Sequence, residues 1–186
     1  HPLEQKKDTP VLFVPGWGHT PRSYEEGIKE YVKAGRRTLS LSVPPEDIEV
    51  PDAENDRFPL VHRNRADAIL KLLEAKAVRQ VDIIAHSEGC LNAIIAWKAA
   101  PDRFRHFVFN TPPGFTGKEF YPEIMTRAAI RLGSTWFEKK HASPDELVRY
   151  AQGEKDVKEW LGKRGIARGL VESMNPGRIE IDDIVR

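Results

Sequence analysis

Val81-Asp82-Ile83-Ile84-Ala85-His86-Ser87-Glu88-Gly89-Cys90-Leu91-Asn92-Ala93-Ile94-Ile95-Ala96-Trp97 is the stretch on which the reading of this chain turns. Val81, Ile83 and Ile84 supply the apolar content of a buried strand. Cys90 to Ala100 is apolar on nearly every face, which predicts a helix packed inside a domain. Between them Ala85 to Gly89 reads A-x-S-x-G. A tight strand-to-helix turn needs small residues two before and two after its apex, because the two backbones approach closely there. Ala85 and Gly89 meet that need. Such a turn pushes the Ser87 hydroxyl outward and aims the first N–H groups of the helix at whatever Ser87 attacks. The plainer alternative is a buried serine in an ordinary strand-helix crossover.

Outward from this stretch, strands and helices alternate. Val11 to Val14 is a continuous apolar run bounded by prolines, which predicts a strand buried on both faces. Pro15-Gly16-Trp17-Gly18-His19-Thr20 follows as a loop. Pro21 to Ala34 reads as a helix with Tyr24, Ile28, Tyr31 and Val32 on one face, ended by Gly35. Arg37 to Val43 is a second strand, and Pro44 to Pro59 a long acidic, proline-rich loop. Asn64 to Lys76 is a helix with Ala66, Ile69, Leu70 and Leu73 at helical spacing. Phe104 to Phe109 is a fourth strand, closed by Asn110-Thr-Pro-Pro-Gly114. This order predicts an α/β fold with a parallel sheet and flanking helices.

The Ala85–Gly89 turn in this setting resembles the nucleophile elbow of the α/β-hydrolase fold, with Ala85 in place of the first glycine of G-x-S-x-G. Pro15-Gly16-Trp17-Gly18 is similar to the family's glycine-bearing loop that completes the oxyanion hole. The resemblance covers Val11 to Gly114 and makes residues 1–114 an incomplete α/β-hydrolase core. It implies a serine hydrolase acting on a carboxylic ester or related acyl substrate, with Ser87 as nucleophile. The backbone N–H groups of Trp17 and Glu88 would hold the oxyanion. Gly16 and His19 would belong to the same oxyanion and substrate-binding loop. His86, adjoining Ser87, reads as a polar wall residue. Residues 115–186 read as a helical cap or lid. Its expected helices are Tyr121 to Leu132, one opened by the capping box Ser143-Pro144-Asp145-Glu146, a short one around Val157 to Leu161, and Ile166 to Met174. Trp136, Phe137, Trp160 and Met174 are its candidate pocket wall or its own core.

Composition narrows the class further. The chain has 186 residues, enough for a sizeable core. Lys and Arg number 29 against 28 Asp and Glu, a net charge of +1 that gives no case for nucleic acid as partner. Cys90 is the single cysteine, so no internal disulfide and no cysteine-based metal site is expected. Its position in the helix suggests a buried, inert thiol. A reducing, cytoplasmic setting is the default reading. No apolar run reaches the roughly 20 residues of a membrane span, and His1 to Asp8 is polar and no signal peptide. No phosphate-binding or dinucleotide-binding glycine pattern and no metal-spaced histidine pair is present, so no cofactor or metal is expected.

The resemblance also implies parts that are not found. Family members carry an acid and a histidine on strands after the lid, and further strands before the one at Val11. Neither His62, His106 nor His141 has a motif around it, and Asn110 stands where some members place the acid. Asp182 and Asp183 lie in a polar tail. No acid and no base are therefore assigned. Three arrangements fit: a fragment, a partner chain that completes the sheet and triad, or a minimal domain without a triad. The competing functional reading is a hydrolase-derived ligand-binding or interaction protein.

Overall fold

The computed structural model describes residues 9–16, 19–41, 60–113 and 121–164. Four strands form one parallel sheet: β1 (Val11–Val14), β2 (Thr38–Ser40), β3 (Val81–His86) and β4 (Phe104–Asn110), in the order β2-β1-β3-β4. The helices are α1 (Glu25–Lys33), α2 (Leu60–Ala75), α3 (Glu88–Ala99), α4 (Tyr121–His141) and α5 (Pro144–Arg164). A 3-10 turn at Pro21–Tyr24 leads into α1, and another at Pro101–Arg103 into β4.

All four residues of β1 are buried, as a central strand of a parallel sheet requires. Its alternate side chains serve two layers. Phe13 points to the side of α1, where its ring meets Tyr24 and Tyr31 at centroid distances of 6.0 and 5.8 Å. Leu12 and Val14 join the opposite core with Ile69 and Leu73 of α2, Val81, Ile83 and Ala85 of β3, and Cys90, Ala93 and Ala96 of α3. β3 shows the period-2 alternation of an inner strand, with Val81, Ile83 and Ala85 in this core and Asp82, Ile84 and His86 on the α1 side half-buried.

The helices differ from expectation in instructive ways. α2 begins at Leu60, four residues before the predicted Asn64. Its first turns bury His62, Asn64 and Arg65 rather than apolar side chains, so the apolar periodicity starts late. α3 likewise begins at Glu88 and buries Glu88 and Asn92 within an otherwise apolar helix. The expected run of short helices after residue 120 is instead two long ones. α4 continues from Leu132 through Gly133 to His141, and α5 runs from Pro144 to Arg164 through the predicted break before Val157. A glycine inside a helix costs about 1 kcal/mol relative to alanine, too little to end one. The Ser143 capping box is present: the Ser143 N–H donates to Glu146 Oε2 at 2.7 Å, and the Glu146 N–H faces Ser143 Oγ at 3.4 Å. The two helices are linked by the Lys139–Glu154 ion pair and by Tyr150 Oη donating to Glu138 Oε2 at 2.8 Å. Trp136 and Phe137 are exposed rather than packed as core; the Trp160 side chain and the predicted Ile166–Met174 helix lie outside the described residues.

One irregularity matters for β4. Val81 pairs with Phe104 but Ile83 pairs with Phe107, so β4 carries one extra residue, a bulge. Strict alternation would place His106 and Val108 on the face of Phe104. The bulge substitutes Phe107 and Phe109, whose rings run on from Phe104 at 5.8 and 5.4 Å, with Trp97 of α3 edge-on to Phe107 at 6.4 Å.

Leu73 is fully buried in the α2–β1–β3 core. Leu73→Ala is expected to lower unfolding free energy by about 2–5 kcal/mol, read as an earlier midpoint in urea at unchanged slope.

Candidate active site

The turn between β3 and α3 holds Ser87 at φ 51°, ψ −128°. An L-residue with a side chain seldom occupies that region, and holding one there costs on the order of 1–3 kcal/mol. The conformation persists because the surroundings fix both ends. The Ser87 N–H donates to the Asn110 carbonyl at the end of β4 (2.9 Å), and the Ser87 carbonyl accepts the Cys90 N–H of the first helical turn (2.9 Å).

Two glycines make the turn fit. A Cβ at Gly89 would lie 2.5 Å from the Val14 carbonyl oxygen and 2.7 Å from that of Pro15. A Cβ at Gly16 would lie 2.8 Å from both the His86 carbonyl oxygen and Ser87 Cβ. The end of β1 and its loop are thus pressed against the turn, and Gly16 is brought directly beside Ser87. Ala85 is fully buried, so the crowding expected from its methyl group is accommodated. Trp17 lies outside the described residues. Glu88 is the first residue of α3, where backbone N–H groups have no acceptor within the helix. A strained serine, a loop glycine beside it and a free helix N-terminus together can present a hydroxyl and N–H donors to one small carbonyl group.

His19 and His86 stand together at this end of the sheet. Their rings meet edge to face at 4.8 Å, with Tyr24 6.1 and 6.2 Å away. Burial holds both imidazoles below their ordinary pKa, and the neighbouring His86 adds to the effect on His19. Both are therefore neutral at pH 7 and carry no positive charge to Ser87. Burial pushes the Tyr24 phenol up to about 12, with the Gly16 amide pulling the other way. Cys90 is fully buried, its Sγ directed at the Ala85 carbonyl at 3.3 Å, and burial pushes the thiol up to about 12 against weaker hydrogen bonds to backbone. It is no rival nucleophile.

A second polar group lies beneath the turn. The Glu88 carboxylate, 2% exposed, is ion-paired to Arg65 of α2 and lies 3.3 Å from His62 Nδ1. His62 Nδ1 is also 2.9 Å from Asn92 Oδ1. Both neighbours are acceptors, so Nδ1 carries the hydrogen. Burial lowers the His62 pKa to about 4, aided by Arg65 and opposed by the Asn92 hydrogen bond. Sequence reasoning found Glu88 for its amide and missed His62, Arg65 and Asn92. A faint signal was there: Glu88 and Asn92, like His62 and Arg65, sit three or four residues apart, on one face of a helix.

Among the described residues no group of three or more His, Cys, Asp or Glu could hold a metal ion, and no helix is long and apolar enough to cross a membrane.

Solved structures with a similar fold are α/β-hydrolases and esterases. The esterase RhEst1 from Rhodococcus sp. ECU1013 aligns with a TM-score of 0.60 over 96% of this chain and 68% of its own, at 15% identity. A hydrolase from Pseudomonas aeruginosa PA01 gives 0.58 over 94% and 66%, at 17% identity. An extracellular α/β-hydrolase from a Paenibacillus species gives 0.52 over 81% and 64%, at 16%. The chain has the α/β-hydrolase fold. It spans about half the length, 52%, of other such structures it matches. No protein-family model matches the chain, and no curated protein sequence does.

Two outcomes are expected from this geometry. Ser87→Gly relieves the strain that Ser87→Ala retains, so the glycine variant should be more stable than the alanine variant by about 1 kcal/mol in urea unfolding. His62 binds its proton at about pH 4 in the folded state and near 6.5 when unfolded. Between those values the unfolded chain holds the extra proton, so stability falls as pH drops through this window, by roughly 3 kcal/mol from this group. His62→Gln should flatten that part of the pH–stability curve.

Proposed function

We propose that this chain carries the nucleophile half of a serine hydrolase acting on a carboxylic ester or related acyl compound. The observation that carries the reading is Ser87 at φ 51° on the strand-to-helix turn, with Gly16 packed against it. In this reading Ser87 Oγ attacks the substrate carbonyl carbon. The Glu88 amide and the amide of Trp17 donate to the carbonyl oxygen as it becomes an oxyanion. The tetrahedral adduct collapses, the alcohol leaves with a proton, and an acyl-enzyme remains. Water then attacks the ester carbon and releases the acid and Ser87. His19 contacts the substrate from the oxyanion loop as a neutral group.

A serine needs a base to take its proton. His62 bonds to Asn92 and His106 to Asp82, and no described histidine bonds to the Ser87 hydroxyl. In this reading the acid and histidine come from a further segment or a second chain that also extends the sheet. In support, β4 is an edge strand among the described residues, with Val108 and Phe109 exposed, an apolar edge of the kind proteins cover. The helical hairpin of α4 and α5 belongs, in this reading, to a cap over the site. The single buried, unpaired Cys90 suits a reducing, cytoplasmic setting. The absence of a described base also favours a second reading: a binding protein that kept the pocket and lost the triad.

A short nitrophenyl ester separates the two. The native protein should hydrolyse it at least a hundredfold faster than its Ser87→Ala variant, and a fluorophosphonate should add one probe mass at Ser87. Equal hydrolysis by both proteins, with no mass added, would leave the binding reading standing instead.

A further inference from the structure

The Glu88 carboxylate is an odd tenant of its position. It sits in the first turn of a helix that, Asn92 apart, otherwise buries apolar side chains, and it is almost wholly removed from water. Burying an ion pair is seldom a route to stability, because apolar side chains of the same volume do as well or better. The placement of this pair calls for another reason. Glu88 is the first residue of α3, so its backbone N–H is one of those the helix leaves without an internal acceptor. Its side chain reaches the other way, into Arg65 and His62 of α2, while His62 holds Asn92 one turn further along α3. Three polar contacts therefore clasp α2 to the opening turn of α3. The carboxylate is held by its partners on α2, one residue from Ser87.

Charge gives the second half of the argument. A bare carboxylate on the residue next to Ser87 would oppose the build-up of negative charge on a bound carbonyl oxygen. Arg65, itself buried, lies against that carboxylate and neutralises it. The positive end of α3 is then left to act on the substrate.

We propose that Arg65, with His62 and Asn92, is a positioning residue for catalysis: through the Glu88 side chain it orients the Glu88 amide toward the oxyanion and cancels the carboxylate's charge. This rests on the serine-hydrolase reading above. Arg65 touches no substrate; it acts through Glu88. A mispointed donor is felt in the transition state rather than in ground-state binding, so the effect falls on kcat and leaves KM nearly alone.

The test uses the native protein and a short nitrophenyl ester. Arg65→Met alone strands a buried carboxylate and endangers folding, so the main variant is Arg65→Met/Glu88→Leu, which removes both charges together. Its melting temperature and circular dichroism report folding. The expected result is a kcat about 10- to 100-fold below wild type, since losing an oxyanion donor outright costs about 100- to 1,000-fold, with KM within threefold. Arg65→Lys, which restores a cation, should recover most of the rate. A folded double variant with kcat within twofold of wild type overturns the proposal, as does an equal change in KM and kcat. If the double variant does not fold, Arg65→Met/Glu88→Gln takes its place: it keeps the shape of the Glu88 side chain, removes both charges together and should lower kcat about tenfold, and an unchanged kcat overturns the proposal. Failure of the underlying reading looks different. It appears in the wild type, as hydrolysis that Ser87→Ala does not abolish.

Discussion

The close approach of two backbones governs the rest of this structure. β1 and β3 are parallel neighbours, and each ends in a turn at the same edge of the sheet. The carbonyls of Val14 and Pro15 then lie where a side chain at position 89 would begin. Only glycine at 89 lets α3 start there, and only glycine at 16 lets the next loop lie against Ser87. With both ends held, Ser87 is left in a backbone conformation that an L-residue avoids. Its strain is sustained by hydrogen bonds to β4 and to the first turn of α3, so the turn draws on a strand and a helix at once.

Stability and chemistry are divided between the two faces of this turn. Below it, the apolar side chains of α2, α3, β1 and β3 close a core that holds the strands in register. Threaded into that core is the Arg65–Glu88–His62–Asn92 network, in which the buried Glu88 carboxylate is paired with Arg65 and lies beside His62. Above it, His19, His86 and Tyr24 form an aromatic cluster that stays neutral because burial disfavours the charged imidazoles. The site thus offers a hydroxyl, helix N–H groups and uncharged rings, a setting suited to a neutral carbonyl compound.

Much of this was legible in the residues. The run Val11–Val14, the A-x-S-x-G turn and the apolar helix after it identify strand, turn and helix by periodicity and by the small residues a close approach demands. The capping box at Ser143 was equally plain, since its two hydrogen bonds are local. Helix lengths were less so. Gly133 and Gly153 lie inside α4 and α5 with no neighbouring atoms near their Cβ positions, and nothing local marks them as tolerated.

What the sequence by itself determined is therefore the alternation of strands and helices and the position of Ser87 on a strand-to-helix turn, because both follow from patterns among residues close along the chain. Tertiary structure alone decided three things. It placed Gly16 beside Ser87, across 70 intervening residues, because β1 and β3 are paired. It joined Arg65 and His62 to Glu88, because α2 packs on α3 and a buried charge must find its partner wherever the fold puts one. It turned Phe107 and Phe109 to the face of Phe104, because one extra residue in β4 shifts the alternation by one. Each depends on pairing between distant segments, and such pairing leaves no periodic trace in either segment alone.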